Sequence, residues 1–228
     1  MDGGVKTLWI IANWKSNKNI IEALDWVSVV GPNLPRKPNL KVVVCPQFTE
    51  LEEVKKQVLV NNYPLLVGSQ DLSPFAEGAY TGEEAAQDLK TFASLAILGH
   101  SERRKNFSET DQMVAEKVTQ ADKAGITPLV CVQAKETPVP AGCKLIAYEP
   151  IFAIGTDKPD TPQNANEVAI AFKQKYGQDL EVLYGGSASS DNCLAFIKQD
   201  NISGLLIGHK SLEAEEFVKI VTLCADLV

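Results

Sequence analysis

Eight short aliphatic runs recur along the chain, and each is bounded by turn residues. The runs are continuously apolar, which is typical of strands buried on both faces of a parallel sheet. Amphipathic segments separate most of them, so strand and helix alternate and the helices should lie outside the sheet. An open, doubly wound sheet also fits this alternation, but a count of eight favours a closed α/β barrel of the (β/α)8 type. The runs are LWIIA, LKVVVC, YPLLVG, SLAILG, TPLVCV, KLIAY, LEVLY and SGLLIG.

Several amphipathic segments have recognisable ends. NIIEALDWVSVV follows the first run, and ETDQMVAEKVTQADKAG ends at Gly125, as helices commonly do. Thr161 before Pro162 is a helix cap followed by proline at the first helical position. SLEAEEFVKIVTLCADL closes the chain, and no linker or change of composition divides residues 1–228. The sequence therefore predicts a single domain.

One interval between strands is too short for a helix. Only residues 133–142 separate the fifth and sixth runs, and Pro138 and Pro140 would break a helix there. A parallel crossover usually needs a dozen or more residues, most of them helical. We predict that the fifth helix is missing, that an extended loop replaces it, and that the change exposes part of the barrel.

Charge and cysteine usage argue against several classes of function. The formal net charge is −7 and no basic stripe is present, so nucleic acid and anionic membranes are not expected partners. No apolar run approaches the ~20 residues that cross a bilayer, and the N-terminus has no signal-peptide pattern. The five cysteines lack zinc-type spacing. We expect buried, reduced cysteines in a cytoplasmic protein with no metal site.

Polar residues follow several strands at the end where a parallel barrel places its active site. Asn13 and Lys15 follow the first run, His100 and Glu102 the fourth, and Glu149 the sixth. Taken singly, each has an ordinary structural explanation, such as a solvated charge or a satisfied histidine. Their shared position is more informative, because the fold would bring all five to one pocket.

Glycine-rich segments follow the last two strands. Gly185 and Gly186 open the segment YGGSASSDN, and Gly208 lies in GHKS. Backbone N–H groups at such turns bind anions, and loops after strands seven and eight of a barrel commonly hold phosphate. Tight βα turns would also require glycine. GxGxxG and P-loop patterns are absent, so no nucleotide cofactor is indicated.

The motifs NWK, LGHSERR, AYEPIFAIGT and YGGS resemble the triosephosphate isomerase family, in that order and over essentially the whole chain. The resemblance implies interconversion of dihydroxyacetone phosphate and D-glyceraldehyde 3-phosphate through an enediolate, a step of glycolysis and gluconeogenesis, without cofactor or metal. It makes Glu149 the base, with basicity raised by exclusion of water, and His100 a neutral group that polarises the carbonyl. Lys15 would supply positive charge, Asn13 a hydrogen bond, and Glu102 a partner for Lys15.

The same resemblance assigns a phosphate site, a lid and an apolar clamp. Ile154 and Leu206 would form the clamp over the base, and closure of the lid PIFAIGTDKPD would expel water. The implied phosphate ligands are Gly155, Ser187, Gly208 and the backbone of His209. The implied lid residues are Pro150, Ile151, Phe152, Ala153, Ile154 and Thr156.

The segment GSQDLSPFAEGAYTGEEA resembles the loop by which one subunit of this family inserts into another. Thr81 would be its tip, and Glu83 would pair with Arg103 across the interface. A homo-oligomer is therefore implied, most simply a dimer. The missing helix is compatible with a tetramer or with a less stable, monomer-prone barrel.

Four features depart from the family pattern: the missing helix, Phe152 for a tryptophan, the lid residues Asp157, Pro159 and Asp160, and His209 for a glycine. Proline would stiffen the lid and an acid would repel phosphate. A positive φ at His209 would be costly, whereas a negative φ would not. Two alternatives therefore stay open: a phosphate-binding barrel without catalysis, and another enzyme acting on sugar phosphates.

Overall fold

Eight parallel strands form a closed barrel in the computed structural model, which describes residues 6–153 and 159–228. Strand β1 pairs with β2 on one side and with β8 on the other, so the sheet has no open edge. The closed order confirms the predicted (β/α)8 architecture, or TIM barrel, and excludes the open sheet. The strands are β1 Leu8–Asn13, β2 Leu40–Cys45, β3 Leu66–Ser69, β4 Leu95–Leu98, β5 Thr127–Val132, β6 Leu145–Tyr148, β7 Glu181–Tyr184 and β8 Gly204–Ile207.

Alternate residues of each strand enter two separate apolar layers. In β1, Ile11 packs inside the barrel with Leu129 and Leu183, whereas Ile10 and Ala12 belong to the layer between barrel and helices. Side chains alternate between the two faces of a strand. Both faces are buried here, which explains why the strand sequences are continuously apolar.

The helices surround the barrel, and two of their predicted ends are confirmed. Thr161 caps α6 ahead of Pro162, and Gly125 ends α5 with a φ of 76°. At the start of α1, Asn19 and Glu22 form a capping box. The helices are α1 Ile20–Asn33, α2 Leu51–Val60, α3 Ala86–Leu89, α4 Ser101–Phe107, α5 Asp111–Ala124, α6 Pro162–Tyr176, α7 Cys193–Ile197 and α8 Ala214–Ala225.

Residues 133–144 connect β5 to β6 and contain no helix, as predicted. The connection nevertheless covers the barrel at this point, because Val139 and Cys143 are buried in the outer apolar layer. The Val139 N–H also donates to the Tyr176 hydroxyl at 3.3 Å. The expectation that the missing helix exposes the barrel is therefore wrong here, since the loop supplies its own apolar cover.

A buried ionic cluster joins the loop after β3 to α4 and α5. Lys117 on α5 donates to both carboxylate oxygens of Asp71, at 2.6 and 2.8 Å, and to Glu109. Arg103 on α4 bonds Asp71 at 2.8 Å and Glu109 at 3.3 Å. Removing one member of such a cluster leaves buried charge without compensation, so the cluster fixes the relative positions of these three segments.

All five cysteines are buried and free, in agreement with the expectation from their spacing. Within the described part of the chain, no helix has the length and apolar character needed to cross a membrane.

Candidate active site

The side chains predicted from the strand ends do meet at one mouth of the barrel. They line an open cavity of about 520 Å³. Glu102 lies beside this cavity and reaches it through Lys15. The predicted site residues that line the cavity are Asn13, Lys15, His100, Glu149, Ser187, Leu206, Gly208 and His209.

Lys15 is held by a tight turn at the end of β1. Its φ is 55°, which is uncommon for a residue with a side chain, and its N–H donates to Asn13 Oδ1 at 3.0 Å. Its Nζ lies 2.5 Å from Glu102 Oε1. A Cβ added at Gly208 would lie 3.8 Å from the same Nζ. The turn thus aims a lysine at the glycine loop after β8, and Glu102 fixes its position.

His100 caps the start of α4 with its own side chain. Its Nδ1 accepts the Glu102 backbone N–H at 3.2 Å, and its Nε2 lies 2.9 Å from Glu149 Oε1. A nitrogen that accepts a hydrogen bond carries no proton, so the arrangement selects the neutral ring with hydrogen on Nε2. The geometry therefore aims the Nε2 hydrogen into the cavity, toward Glu149.

Glu149 lies at the end of β6 and is 1 % exposed. Besides His100, its carboxylate accepts the Ser101 N–H at 3.0 Å and the Gln133 amide at 3.2 Å, both on Oε2. Burial acts to raise the pKa of this carboxyl, but His100 and the two other donors outweigh burial and hold the pKa below its usual range. In this arrangement three donors stabilise the ionised form, whereas the expectation of a more basic carboxylate concerns the site once water is excluded around a substrate.

Two neighbours of Glu149 were not predicted from the sequence. Gln133 follows β5 and Cys131 lies within that strand, inside the barrel. Burial and then the Glu149 carboxylate, to which the Cys131 thiol is hydrogen-bonded, raise the pKa of Cys131 well above its usual range. The rule applied to the other strands, that polar residues following a strand belong to the mouth, would have found Gln133.

The glycine loop after β7 passes very close to its neighbours. A Cβ at Gly186 would lie 2.2 Å from the Tyr184 hydroxyl oxygen, and one at Gly185 would lie 3.0 Å from Glu149 Cγ. Asn192 ties the rest of the loop together through the Ser187 carbonyl and the Ser189 N–H. The absence of a side chain at both glycines therefore lets the backbone line the cavity beside Glu149.

Replacing Gly186 with alanine should impair binding more than folding. The new Cβ would displace the Tyr184 ring or the loop, because Cβ atoms do not approach other atoms this closely. We expect KM for the phosphorylated substrate to rise about tenfold, the effect of losing 1.4 kcal/mol. Steady-state kinetics would measure the change. The control is Gly31→Ala in α1, whose new Cβ would likewise lie 2.2 Å from a tyrosine ring, that of Tyr63, but outside the cavity lining. An unchanged KM in Gly186→Ala would contradict this role.

His209 replaces a glycine of the family pattern without backbone strain. Among the described residues other than glycine, positive φ occurs at Lys15, Lys18, Asn62 and Ser108. His209 is therefore outside that region, and it begins a 3-10 turn over His209–Ser211 with its side chain exposed.

The predicted lid is described in part. Pro150 is buried, and the 3-10 turn Ile151–Ala153 carries Ile151 and Phe152 on the surface. At the far end, Pro159 lines the cavity. Asp160 accepts the Thr161 N–H and the Asn164 amide, each at 2.7 Å, so this acid is bound at the start of α6. The predicted residues Ile154, Gly155, Thr156 and Asp157 lie outside the described residues.

The predicted interface residues are not brought together within the chain. Thr81 and Glu83 are exposed in the loop between β3 and α3, residues 70–85. Arg103 instead bonds Asp71 and Glu109 of its own chain.

A parallel barrel with a buried carboxylate, a histidine and a lysine at its mouth, beside a cavity lined by glycine loops, is typical of enzymes that move protons on phosphorylated sugars. The family model described as triosephosphate isomerase matches residues 8–144 and 140–224. The triosephosphate isomerase of Endomicrobium trichonymphae is 38 % identical, over 92 % of this chain and 95 % of that protein. That of Caldanaerobacter subterraneus subsp. tengcongensis is also 38 % identical, over 93 % and 97 %. The crystal structure of triosephosphate isomerase from Bartonella henselae superposes with a TM-score of 0.81 at 28 % identity, covering 95 % of this chain and 99 % of that one. This chain belongs to the triosephosphate isomerase family.

Proposed function

We propose that Glu149, His100 and Lys15 carry out the interconversion of dihydroxyacetone phosphate and D-glyceraldehyde 3-phosphate. The observation that carries the assignment is the contact between base and acid: Glu149 Oε1 and His100 Nε2 lie 2.9 Å apart in the cavity that the glycine loops line. A substrate inserted between them would meet a proton acceptor and a proton donor simultaneously.

The reaction requires two proton movements. Glu149 removes a proton from the carbon beside the carbonyl, and the C–H electron pair becomes the double bond of the enediolate. The His100 Nε2–H donates toward the carbonyl oxygen, where negative charge develops. Glu149 then returns its proton to the neighbouring carbon, while the hydroxyl on the carbon that was deprotonated gives its proton to His100 and becomes the new carbonyl. One proton has then moved between the two carbons and one between the two oxygens, and both residues are back in their starting forms.

Fixed charge and dipoles support these steps. The Lys15 ammonium, placed by Asn13 and Glu102, offsets the charge of the enediolate and the phosphate. Ser187, Gly208 and the His209 backbone line the phosphate end of the cavity, and we assign Gly155 to the same site.

We further propose that residues 150–160 act as the lid. Ile154 and Leu206 would form an apolar clamp that excludes water and makes Glu149 more basic once substrate is bound. No metal ion or organic cofactor enters this mechanism.

Assembly into a homodimer is part of the proposal. In the 70–85 loop, Phe75 and Tyr80 stack with ring centroids 4.2 Å apart, yet they are 42 % and 44 % exposed. Exposed aromatic pairs are typical of protein contacts. The loop would insert into another copy with Thr81 at its tip, and Glu83 would reach Arg103, whose side chain is one-third exposed. We also propose that residues 1–228 form one cytoplasmic domain.

An isomerase assay coupled to reduction of the product tests the function directly. We expect conversion of D-glyceraldehyde 3-phosphate, and specific activity that falls on dilution as the dimer dissociates. Sedimentation over the same concentrations measures assembly. A protein that binds 2-phosphoglycolate without turnover would contradict catalysis. Constant activity with a monomer at every concentration would contradict the assembly proposal alone.

A further inference from the structure

Gln133 contacts the proposed base, although none of the steps above uses it. Its Nε2 donates to Glu149 Oε2 at 3.2 Å and to the Gly99 carbonyl at 3.3 Å. Gly99 directly precedes His100, so one carboxamide connects the ends of β4, β5 and β6. This position is central to the site and distinct from the phosphate loops.

The loop that replaces the missing helix fixes the backbone of Gln133. The Thr137 hydroxyl accepts the N–H groups of Gln133, at 3.3 Å, and of Ala134, at 3.2 Å. The Thr137 N–H in turn donates to the Ala134 carbonyl at 3.0 Å. Val139 is buried two residues further on and anchors the loop. The carboxamide is therefore presented to Glu149 by a preformed turn, which lowers the entropic cost of making the contact.

Both carboxylate oxygens of Glu149 are engaged in this structure. Oε1 faces His100, and Oε2 accepts the Ser101 N–H together with the Gln133 amide. An oxygen that accepts two hydrogen bonds is poorly placed to take a proton from carbon as well. The described arrangement is thus a resting one, and the carboxylate must give up contacts before it reaches a substrate.

We propose that Gln133 is a positioning residue that holds Glu149 in this resting arrangement, so that releasing its amide is one cost of moving the carboxylate onto the substrate. The inference rests on the proposed function. Ligands that require the moved carboxylate bind more tightly when the resting arrangement is destabilised, by the same factor as the equilibrium changes.

The charged and titratable groups around Glu149 set the background for any pH effect. In the described part of the chain, they are His100 after β4, Cys131 on β5, the Lys15–Glu102 pair, and Arg104, which donates to the Gly99 carbonyl at 2.8 Å. Gln133 is neutral. Its replacement by alanine therefore removes a donor without changing the net charge of the site.

The test uses Gln133→Ala and two measurements. Calorimetry should show 2-phosphoglycolate binding about three- to tenfold more tightly, which is the fold-change expected for one typical intramolecular hydrogen bond. The ratio of kcat/KM, variant over parent, should exceed one at pH 8 and fall as the solution is acidified. The fall follows because a lost donor raises the pKa of Glu149, so the variant is protonated first. Titration of the substrate itself cancels in the ratio.

Gln133→Glu provides a second variant of the same size. The introduced carboxylate would face two other acceptors, the Glu149 carboxylate and the Gly99 carbonyl. Its negative charge would raise the pKa of Glu149 further, so activity should begin to fall at a higher pH than in Gln133→Ala. Ala134→Ser, an exposed neighbour, is the matched control, and thermal unfolding checks that all variants are folded. Unchanged affinity with a ratio independent of pH overturns the proposal, and so does weaker binding of 2-phosphoglycolate. An inactive parent would instead contradict the proposed function.

Discussion

Replacing Glu149 with glutamine is expected to lower kcat about 10³-fold, because the amide keeps the size of the side chain but cannot accept the substrate proton. Glu149→Asp keeps the carboxylate and withdraws it by one methylene. We expect a smaller loss, about 10²-fold, since a misplacement near 1 Å costs that much in reactions that depend on positioning. Steady-state kinetics with D-glyceraldehyde 3-phosphate measures both changes.

The controls for Glu149 separate chemistry from folding. Glu181→Gln makes the same exchange at the opposite end of the barrel, where Glu181 accepts the Trp9 indole N–H at 3.1 Å. It should leave kcat unchanged to within about threefold, as is usual away from the reacting groups. Glu149→Gln should also keep the thermal unfolding midpoint of the parent. A Glu149→Gln enzyme with kcat within tenfold of the parent would remove Glu149 from the role of base.

The second large effect is expected at His100. Asparagine can accept the Glu102 N–H in place of Nδ1 and is among the best helix caps, so His100→Asn should preserve the start of α4. It removes the Nε2–H that faces the substrate. We expect kcat to fall by about 10²- to 10³-fold, the contribution of a positioned proton donor. Because Glu149 also loses a donor, its pKa should rise and the acid limb of kcat/KM should move to higher pH.

Thr110→Asn is the matched control for His100. It exchanges one capping residue for another at the start of α5, where the Thr110 hydroxyl accepts the Met113 N–H. Its activity and thermal stability should match those of the parent. If His100→Asn unfolded at a much lower temperature while retaining kcat, the imidazole would be structural and the assignment of the acid would be wrong.

The convergence of Lys15, His100 and Glu149 could be predicted because it depends on topology. The carboxyl ends of parallel strands lie on the same side of a barrel. Residues that follow β1, β4 and β6 therefore come together there for any conformation of the loops. The missing fifth helix could also be predicted, because the interval between β5 and β6 is short and contains Pro138 and Pro140. Both predictions use properties that a linear sequence carries directly.

The features that could not be predicted depend on which residues contact a side chain after the chain has folded. The direction of the pKa shift of Glu149 required the positions of Ser101 and Gln133 relative to the carboxylate. The cover over the barrel at the missing helix required knowing that Val139 turns inward. Arg103 forms an ion pair with Asp71 of its own chain, about thirty positions away in the sequence. The sequence alone did not indicate this contact.

The ion pair between Arg103 and Asp71 links the mouth of the barrel to a loop on the surface. Arg103 lies in the first turn of the same short helix whose amide orients the His100 ring, and Asp71 opens the loop that carries Phe75 and Tyr80. The pair therefore ties the loop after β3 to the helix that begins directly after His100. Loss of either partner would leave a charge without compensation and loosen the start of α4, so a substitution in a surface loop can be felt at the imidazole.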